Sequence, residues 1–531
     1  MNPYKEGDAA VKVHKIMLHI KEENKKTNYF ILLLLLGAFV WITLRALKTT
    51  YDNDSWWLIA TGREIVKNGF PTYNPWSIHD GMKIVIQQWI PSVILYLLNS
   101  VGKMPLIELY VAILIGLFTF LLYRMCRSCS DCRCGGEILF AVILIALYPI
   151  SGYFSCRPQI FSMAAYAGII WLLELYRKTG KVKYVWWLPV ITLIHVNFHA
   201  SMVLYDLFII GLYWIPDIPG MINKRFDNCI VEFAGSDYPR KPLFLMGIAS
   251  ALATLINPYG WKGALYLLES YGAAGYQNYI EEMKPLQMYS IGGFAVLAIM
   301  VLGCIVIGHN GNKKIHFPLT CLFLISIILT IQHVRNVWFT PLFALPLIAD
   351  GIGNLQIDFS RFKIFRRKII YVIEVLVLLD FIIVYGYANV WPTMVDYINI
   401  SKADEIDLPQ KAADYMAKYA EENGLKASDI KVFNSFNNGG LLEYHGFKVL
   451  MDARPELWEP SITGLDEHYY REFVDFSSGN MEIFEMINKY PFDFYIVREG
   501  GLLEAYMQEH DDQYEIVEEC NGYNLWGNVD N

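Results

Sequence analysis

DNDSWWLIATGREIVKNGFPTYNPWSIHDGMKIVIQQW, residues 52–89, decides the reading of this chain. It follows almost directly on the first apolar block, Tyr29–Leu47, yet it is too polar and too rich in turn residues to lie in hydrocarbon. It is also too dense in acids, Trp and Gly for a spacer. Trp57, Ile59, Ile65 and Val66 recur at helical spacing, so a helix is expected over Asp54–Lys67, ended by Asn68-Gly69-Phe70-Pro71. Two carboxylates, Asp52 and Asp54, stand at its mouth. Ile84–Leu98 turns apolar again, but Gln87, Gln88 and Pro91 interrupt it early.

Around this stretch the chain is made for a bilayer. Of its 531 residues 54% are hydrophobic and 18% charged, and the apolar ones come in blocks of about 20, the length that carries a helix across a bilayer core of about 30 Å. The blocks lack the alternation of barrel strands, which leaves helices as the spanning element. Met1–Lys26 carries six Lys and reads as a cytoplasmic tail. No small-residue cleavage site follows Tyr29–Leu47, so this block reads as a signal anchor. The net charge of −8 hides a polarity: residues 401–531 hold 27 acidic side chains against 10 basic, and the part before them is net basic, with Lys and Arg in short loops. The nine Cys are too scattered for a disulfide framework.

Basic loops orient the spans. If Ile84–Leu98 lies flat at the interface, the Arg124, Arg127 and Arg133 cluster falls inside. So do Arg177–Lys183, Lys224–Lys241, Lys313–Lys314 and Arg361–Lys368. The expected spans are then 29–47, 105–123, 136–153, 159–176, 184–198, 201–215, 243–257, 291–308, 317–333, 337–352 and 369–389. The N-terminus is inside and the C-terminus outside. This topology puts Arg157-Pro158-Gln159, Asn197-Phe198-His199, Asn257-Pro258-Tyr259-Gly260, Glu281-Glu282 and His333-Val334-Arg335-Asn336 in the outer connections. Polar groups gathered at span ends near one face mark a site there.

From about Val390 onward the chain is soluble in character. Helices are expected at Pro409–Asn423, Tyr469–Phe476 and Met481–Lys489. Strands are expected at Lys431–Asn434, Lys448–Met451, Asp493–Val497 and Tyr514–Glu518, with a turn at Asn437-Asn438-Gly439-Gly440. The resulting fold class is a polytopic all-α membrane domain of about eleven transmembrane helices with a C-terminal extracytoplasmic α/β domain. Its divisions are 1–28, a cytoplasmic tail; 29–389, the membrane domain, with a first external loop at 48–104; and 390–531, the outer domain.

Each candidate residue has a plainer reading. Asp52 and Asp54 can solvate a span end and cap the next helix. Glu282 can be a solvated loop acid. Asn197 and His199 can bond neighbouring carbonyls, and Arg157 and Arg335 can anchor lipid headgroups. Trp56, Trp57, Trp76 and Trp89 suit an interfacial belt as well as a sugar platform. Cys126, Cys129, Cys132 and Cys134 sit in a reducing inner loop, where acylation or no role outranks a thiolate metal site. Asp452-Ala453-Arg454 reads as a strand end with an internal ion pair, with acceptor recognition as the alternative.

The segment Asp54-Ser55-Trp56-Trp57-Leu58-Ile59-Ala60-Thr61-Gly62-Arg63-Glu64-Ile65 resembles the first external loop of GT-C-fold glycosyltransferases, among them the protein O-mannosyltransferases and the lipid A aminoarabinose transferases. In these an acidic pair opens the loop, a short amphipathic helix follows, and a Pro/Trp stretch leads on, here Asn74-Pro75-Trp76 and Gln88-Trp89. The fuller order is similar to that of an uncharacterised bacterial branch of the superfamily. It runs through Arg157-Pro158-Gln159, Asn197-Phe198-His199, Asn257-Pro258-Tyr259-Gly260, Arg335-Asn336 and the tail residues Phe433-Asn434, Gly439-Gly440 and Asp452-Ala453-Arg454.

The resemblance implies an inverting transfer of a sugar from polyprenyl phosphate to an extracytoplasmic hydroxyl on a lipid, cell-wall glycan or protein. It implies Asp54 as general base. Where the family carries its second acid, this chain has Ser55, and Asp52, two residues upstream, is the substitute. Together they are the candidate ligands of a divalent cation, Mg or Mn. A phosphate leaving group calls for cations, and Arg157, His199 and Arg335 are the candidates. Trp57, Asn197, Glu282, Gln88, Trp89 and Asn336 are candidate substrate contacts. The expected location is the plasma membrane and the expected partners are the polyprenyl-linked sugar, the acceptor and the bilayer, with no nucleic acid.

Two rivals stand beside this reading. A transporter or lipid-linked-glycan flippase requires mid-span charges, for which Glu174, Glu374 and Asp380 are the candidates. A non-catalytic membrane scaffold binding partners through its acidic tail would tolerate Asp54→Asn.

Overall fold

A computed structural model describes residues 29–47, 53–130, 136–215, 238–272, 280–287, 291–309, 316–354, 409–490, 492–520 and 522–529. The tail Met1–Lys26, Asp52, Cys132, Cys134, Lys313–Lys314, Arg361–Lys368, the span 369–389 with Glu374 and Asp380, and most of Lys224–Lys241 lie outside the described residues.

The first helices are α1 (Tyr29–Leu47), α2 (Asn53–Asn68) and α3 (Trp89–Cys129). α2 forms where the apolar spacing predicts, burying Trp57, Leu58, Ile59 and Ala60. Gly69 ends it at φ +86°, a conformation that costs glycine least. α2 packs against the start of α3. Gly62 lets the two backbones meet, since a Cβ there would collide with the Ser92 carbonyl.

The expected single apolar unit Ile84–Leu98 is corrected. Ile84–Gln88 is not helical, and the helix starts at Trp89. The backbone carbonyl of Gln87 is taken by Ala200 N–H, whereas Pro91 sits in the first turn, where a missing N–H costs nothing. α3 then breaks at Lys103 (φ 52°, ψ −144°), two residues before Pro105.

The helical body continues with α4 (Gly136–Leu147), α5 (Gln159–Thr179), α6 (Leu188–Phe198), α7 (Leu204–Trp214), α8 (Arg240–Ala253), α9 (Ile291–His309), α10 (Phe317–Gln332) and α11 (Phe339–Asn354). Each expected span within the described residues falls on helical structure. α3 and α5 are long and apolar enough to cross a bilayer, and the other apolar helices are shorter. Phe118, Tyr166, Trp338 and Phe343 fill the interior, while Ile113, Phe120, Leu252, Phe294 and Ile145, the last 72% exposed, cover the outside. Glu174, one of the mid-span charges a transporter would use, is buried against the Arg177 guanidinium at 2.8 Å and the Tyr213 hydroxyl at 2.8 Å.

The tail forms α12 (Gln410–Glu422), β1 (Lys431–Phe433), α13 (Gly439–His445), β2 (Lys448–Val449), α14 (Tyr469–Ser477), α15 (Ile483–Lys489), β3 (Phe494–Arg498), α16 (Leu502–Glu509), β4 (Tyr514–Cys520) and β5 (Tyr523–Asn528). The sheet runs β2-β1-β3-β5-β4, parallel through β2, β1 and β3 and antiparallel beyond. Asn437–Gly440 is not a turn but the entry to α13. Its two glycines serve close approach: a Cβ on Gly439 would strike the Met451 carbonyl, and one on Gly440 would lie 2.6 Å from the Asn53 carbonyl.

α13 therefore docks directly on α2, and Arg63 ties the two by donating to the carbonyls of Tyr444 (2.7 Å) and Glu443 (3.0 Å). Farther along the first loop, Ser77 bridges Val449 of β2. Val449 N–H donates to the Trp76 carbonyl (2.7 Å) and Ile78 N–H to the Val449 carbonyl (3.1 Å). Trp76, Ile84 and Ile86 share an apolar cluster with Met451, Leu457 and Trp458. The first loop and the tail thus pack as one body.

Candidate active site

Asp54 lies in the first turn of α2, where the helix dipole favours a carboxylate. Trp57, one turn on, donates its indole N–H to Oδ1 at 3.1 Å. On the other side Arg157 Nε meets Oδ2 at 3.1 Å, and its NH1 lies 3.9 Å from Glu282 Oε1. The carboxylate keeps 17% exposure, so a substrate can reach it. Ser55 points the other way: it is fully buried, and its hydroxyl accepts from the Cys156 thiol at 2.9 Å. An acid at that position would face the core rather than Asp54's partners.

The outer connections meet around this carboxylate. Arg157 brings in the 155–158 turn and Glu282 the 281–283 turn. Met283 backbone oxygen bonds His333, and Tyr153 hydroxyl donates to the Val334 carbonyl at 2.8 Å. Arg335 reaches the Met283 sulfur at 3.9 Å. On the far side, Trp89 donates to Asn197 Oδ1 at 2.8 Å, and Asn197 donates in turn to the Ile256 carbonyl at 2.9 Å. Tyr259 hydroxyl donates to the Pro71 carbonyl at 3.1 Å. All five polar clusters that the topology assigned to one face are therefore linked to one another or to the first loop.

A guanidinium from the tail lies over the Trp57 ring. The Arg454 guanidinium lies 4.4 Å from the Trp57 ring and 5.7 Å from the Trp76 ring. It pairs with Asp452, as expected from the sequence, and with Glu443 at 2.9 Å, which no local pattern signals. Burial raises the Glu443 carboxyl well above the usual range. Burial acts in the same direction on Asp452, but Arg454 outweighs it and holds that carboxyl below the usual range. Arg454, Trp57, the extended stretch Ile84–Gln88, Tyr266, Glu456 and Leu457 line a cleft beside Asp54's helix. Burial also raises the Glu456 carboxyl, against the pull of Arg335.

The other candidates divide into two sets. Asp54, Trp57, Arg157 and Glu282 form one contiguous group, and Gln88 lines the cleft next to it. Asn197 and Trp89 bond each other and tie loops together. Asn336 is buried and bonds Leu329 within a helix connection. His199 turns its Nδ1 inward, 2.8 Å from Ser162 Oγ. Among the described residues no group of three His, Cys, Asp or Glu is placed to hold a metal ion. Both oxygens of Asp54 already have donors. Asp52, the other expected ligand, lies outside the described residues.

Solved structures share this architecture. The chain is similar to the oligosaccharyltransferase of Archaeoglobus fulgidus in its apo form, with a TM-score of 0.52 at 12% identity over 89% of this chain and 70% of that one. It is similar to the same enzyme tethered by a disulfide to an acceptor peptide containing the NVT sequon, with a TM-score of 0.51 at 12% identity over 89% and 69%. No protein-family model and no curated protein matches the chain by sequence. At this identity the likeness is one of fold, and it shows the GT-C fold that the first-loop resemblance implied.

Proposed function

We propose that this protein is a membrane glycosyltransferase that moves a sugar from a polyprenyl-phosphate donor to an extracytoplasmic acceptor hydroxyl, with inversion, using Asp54 as general base. The observation that carries the reading is the Asp54 carboxylate, held between Trp57 N–H and Arg157 at the junction of the outer connections and beside the Arg454 cleft. The shared fold supports it. So does the exposed apolar cover of the helices, which suits lipid rather than water.

The residues divide the work as follows. In the resting site Arg157 is spent on two carboxylates, Asp54 and Glu282. A donor phosphate offers Arg157 a better bidentate partner and draws the guanidinium away from Asp54. Asp54 Oδ2 then takes the proton of the acceptor hydroxyl as it attacks the anomeric carbon. Oδ1 stays on the Trp57 N–H, which fixes the carboxylate plane. The C–O bond to phosphate breaks as the new glycosidic bond forms, and the negative charge stays on the phosphate beside Arg157, His199 and Arg335. The cleft beside Trp57 receives the acceptor. The multi-pass topology of about eleven spans, with the tail outside, belongs to the same proposal.

A divalent cation on Asp54 and Asp52 is a separate expectation, and no step above uses it. It is checked by chelation: loss of transfer in EDTA with recovery in Mg²⁺ or Mn²⁺ supports it, and unchanged transfer removes it. The test of the function itself is transfer of radiolabel from a panel of polyprenyl-phosphate sugars to a native lipid and glycan extract by the protein in proteoliposomes. The product is expected to have the anomeric configuration opposite to the donor. A retained configuration contradicts the direct displacement.

A further inference from the structure

Four polar side chains form one chain of hydrogen bonds through the interior of the helical body. Asp206, in the first turn of α7, sets both carboxylate oxygens 3.0 Å from Nδ1 of His195 on α6. Nε2 of His195 is 2.9 Å from Ser162 Oγ on α5, and the same hydroxyl is 2.8 Å from Nδ1 of His199. Asp206, His195 and Ser162 have no exposure, and His199 keeps 5%. Burying this much polarity among apolar helices is costly and points to a use.

The order of donors follows from the end of the chain. An ionised Asp206 only accepts, so His195 donates from Nδ1. With His195 neutral, its Nε2 accepts from the Ser162 hydroxyl. The Ser162 oxygen then accepts from His199 Nδ1–H, which leaves Nε2 of His199 as a lone pair. Among the described residues that Nε2 has no hydrogen-bond partner. Adding one proton there reverses the chain. His199 Nδ1–H passes to Ser162, the serine proton passes to His195 Nε2, and the charge comes to rest on His195 against Asp206. His199 ends neutral and donates from Nε2. One proton enters and none is lost.

The neighbours favour charge at the far end. Burial opposes a positive charge on His199, and Arg335 adds to that, whereas the Asp206 carboxylate lies 3.0 Å from His195 Nδ1. The other groups facing His195 are uncharged: the Tyr166 ring, edge-on at 5.4 Å with its hydroxyl donating to the Met202 carbonyl, and the Phe161 ring at 6.0 Å.

We propose that Asp206, His195, Ser162 and His199 form a proton relay that sets the tautomer of His199, so that its Nε2 meets the donor phosphate as an N–H while the charge stays buried on His195. This rests on the phosphate role proposed for His199. Ser162, His195 and Asp206 are positioning residues.

The test requires no substrate. Full-length protein carrying ¹⁵N-histidine is placed in lipid nanodiscs, and His199→Gln and His195→Gln assign the two rings. Uptake of one proton by the relay is expected to move His199 from the Nδ1–H to the Nε2–H tautomer in the same step in which the second ring proton appears on His195. Ser162→Ala is expected to uncouple the two rings. Asp206→Asn, which preserves shape, is expected to keep His195 neutral throughout. An imidazolium on His199 with His195 neutral would overturn the relay, as would titrations unchanged in Ser162→Ala. In the transfer assay Ser162→Ala is expected to lower kcat by about tenfold and shift the acid limb of the pH profile. Absence of transfer by the wild type would strike the proposed function and leave the NMR result standing.

Discussion

At the scale of single residues, the proposed chemistry centres on Asp54 and its two donors. Trp57 supplies one indole N–H and one ring face, and substitution separates the two. Trp57→Phe keeps a ring under Arg454 but removes the donor to Oδ1. A hydrogen bond to a charged group contributes about 1.5–3 kcal/mol. The expected result is a fall in kcat of about tenfold or more at nearly unchanged acceptor KM, read from initial rates in proteoliposomes. Arg157→Gln removes the proposed phosphate ligand and one donor to Asp54. It is expected to raise donor KM by at least about tenfold while donor-independent properties stay the same. Much of this was legible beforehand. Asp54 stood at a helix mouth, and Arg157 and Glu282 stood in loops that the basic-residue count put on the same face. Arg454 as a partner of Trp57 was not legible, because about four hundred residues separate them and cation–ring contacts leave no local pattern. Nor was the inward direction of Ser55 and of His199 Nδ1, since a few residues at a helix end do not fix which way a side chain points.

At the scale of elements, the docking of α13 on α2 places the tail on the site. Gly440 permits it: the 2.6 Å approach of a Cβ to the Asn53 carbonyl leaves no room, and the obstacle is backbone. Gly440→Ala is expected to destabilise the protein by about 1–3 kcal/mol, seen as a lower Tm in differential scanning fluorimetry, and to weaken transfer. An unchanged Tm would mean that the two helices separate freely. The pair Gly439-Gly440 was read from sequence as a turn because glycine marks turns more often than tight helix contacts. Helix α2 was read correctly because its apolar spacing and its Asn68-Gly69 stop are local. Strand β5 was missed: Asn and Gly within Tyr523–Asn528 disguise a strand whose inner residues are all buried. The bridge from Ser77 to Val449 is a pairing between distant segments, which periodicity within either segment does not encode.

At the scale of the molecule, a charged cluster sits in the seam between the first loop and the tail, so pH acts on the whole assembly. The Glu443 carboxyl is raised well above the usual range by burial, so the folded protein holds a proton there that the unfolded chain releases above about pH 4.5. Its contribution to stability is full below that pH and declines as pH rises toward the folded value. Asp452, held low by Arg454 against its burial, contributes the opposite slope: its stabilisation is present above the ordinary carboxylate range and lost as pH falls through its folded value. Glu443→Gln keeps a hydrogen-bonding amide and cannot titrate. It is expected to flatten the fall in Tm as pH rises above about 4.5, whereas a wild-type slope in the variant would show that Glu443 is ionised in the fold. The alternating apolar blocks and the soluble acidic tail made this two-part architecture legible in the sequence. The packing of the tail onto the first loop was not, because it depends on contacts between distant segments.

The most direct measurement compares wild type with Asp54→Asn at equal reconstitution. Transfer from polyprenyl-phosphate sugar and binding of the same donor would be read in parallel. Asn keeps the shape and the bond from Trp57 but cannot take a proton. Transfer is expected to fall by about 10²–10⁴-fold, with donor binding retained. Equal transfer by the two proteins would remove Asp54 from the mechanism and contradict the account.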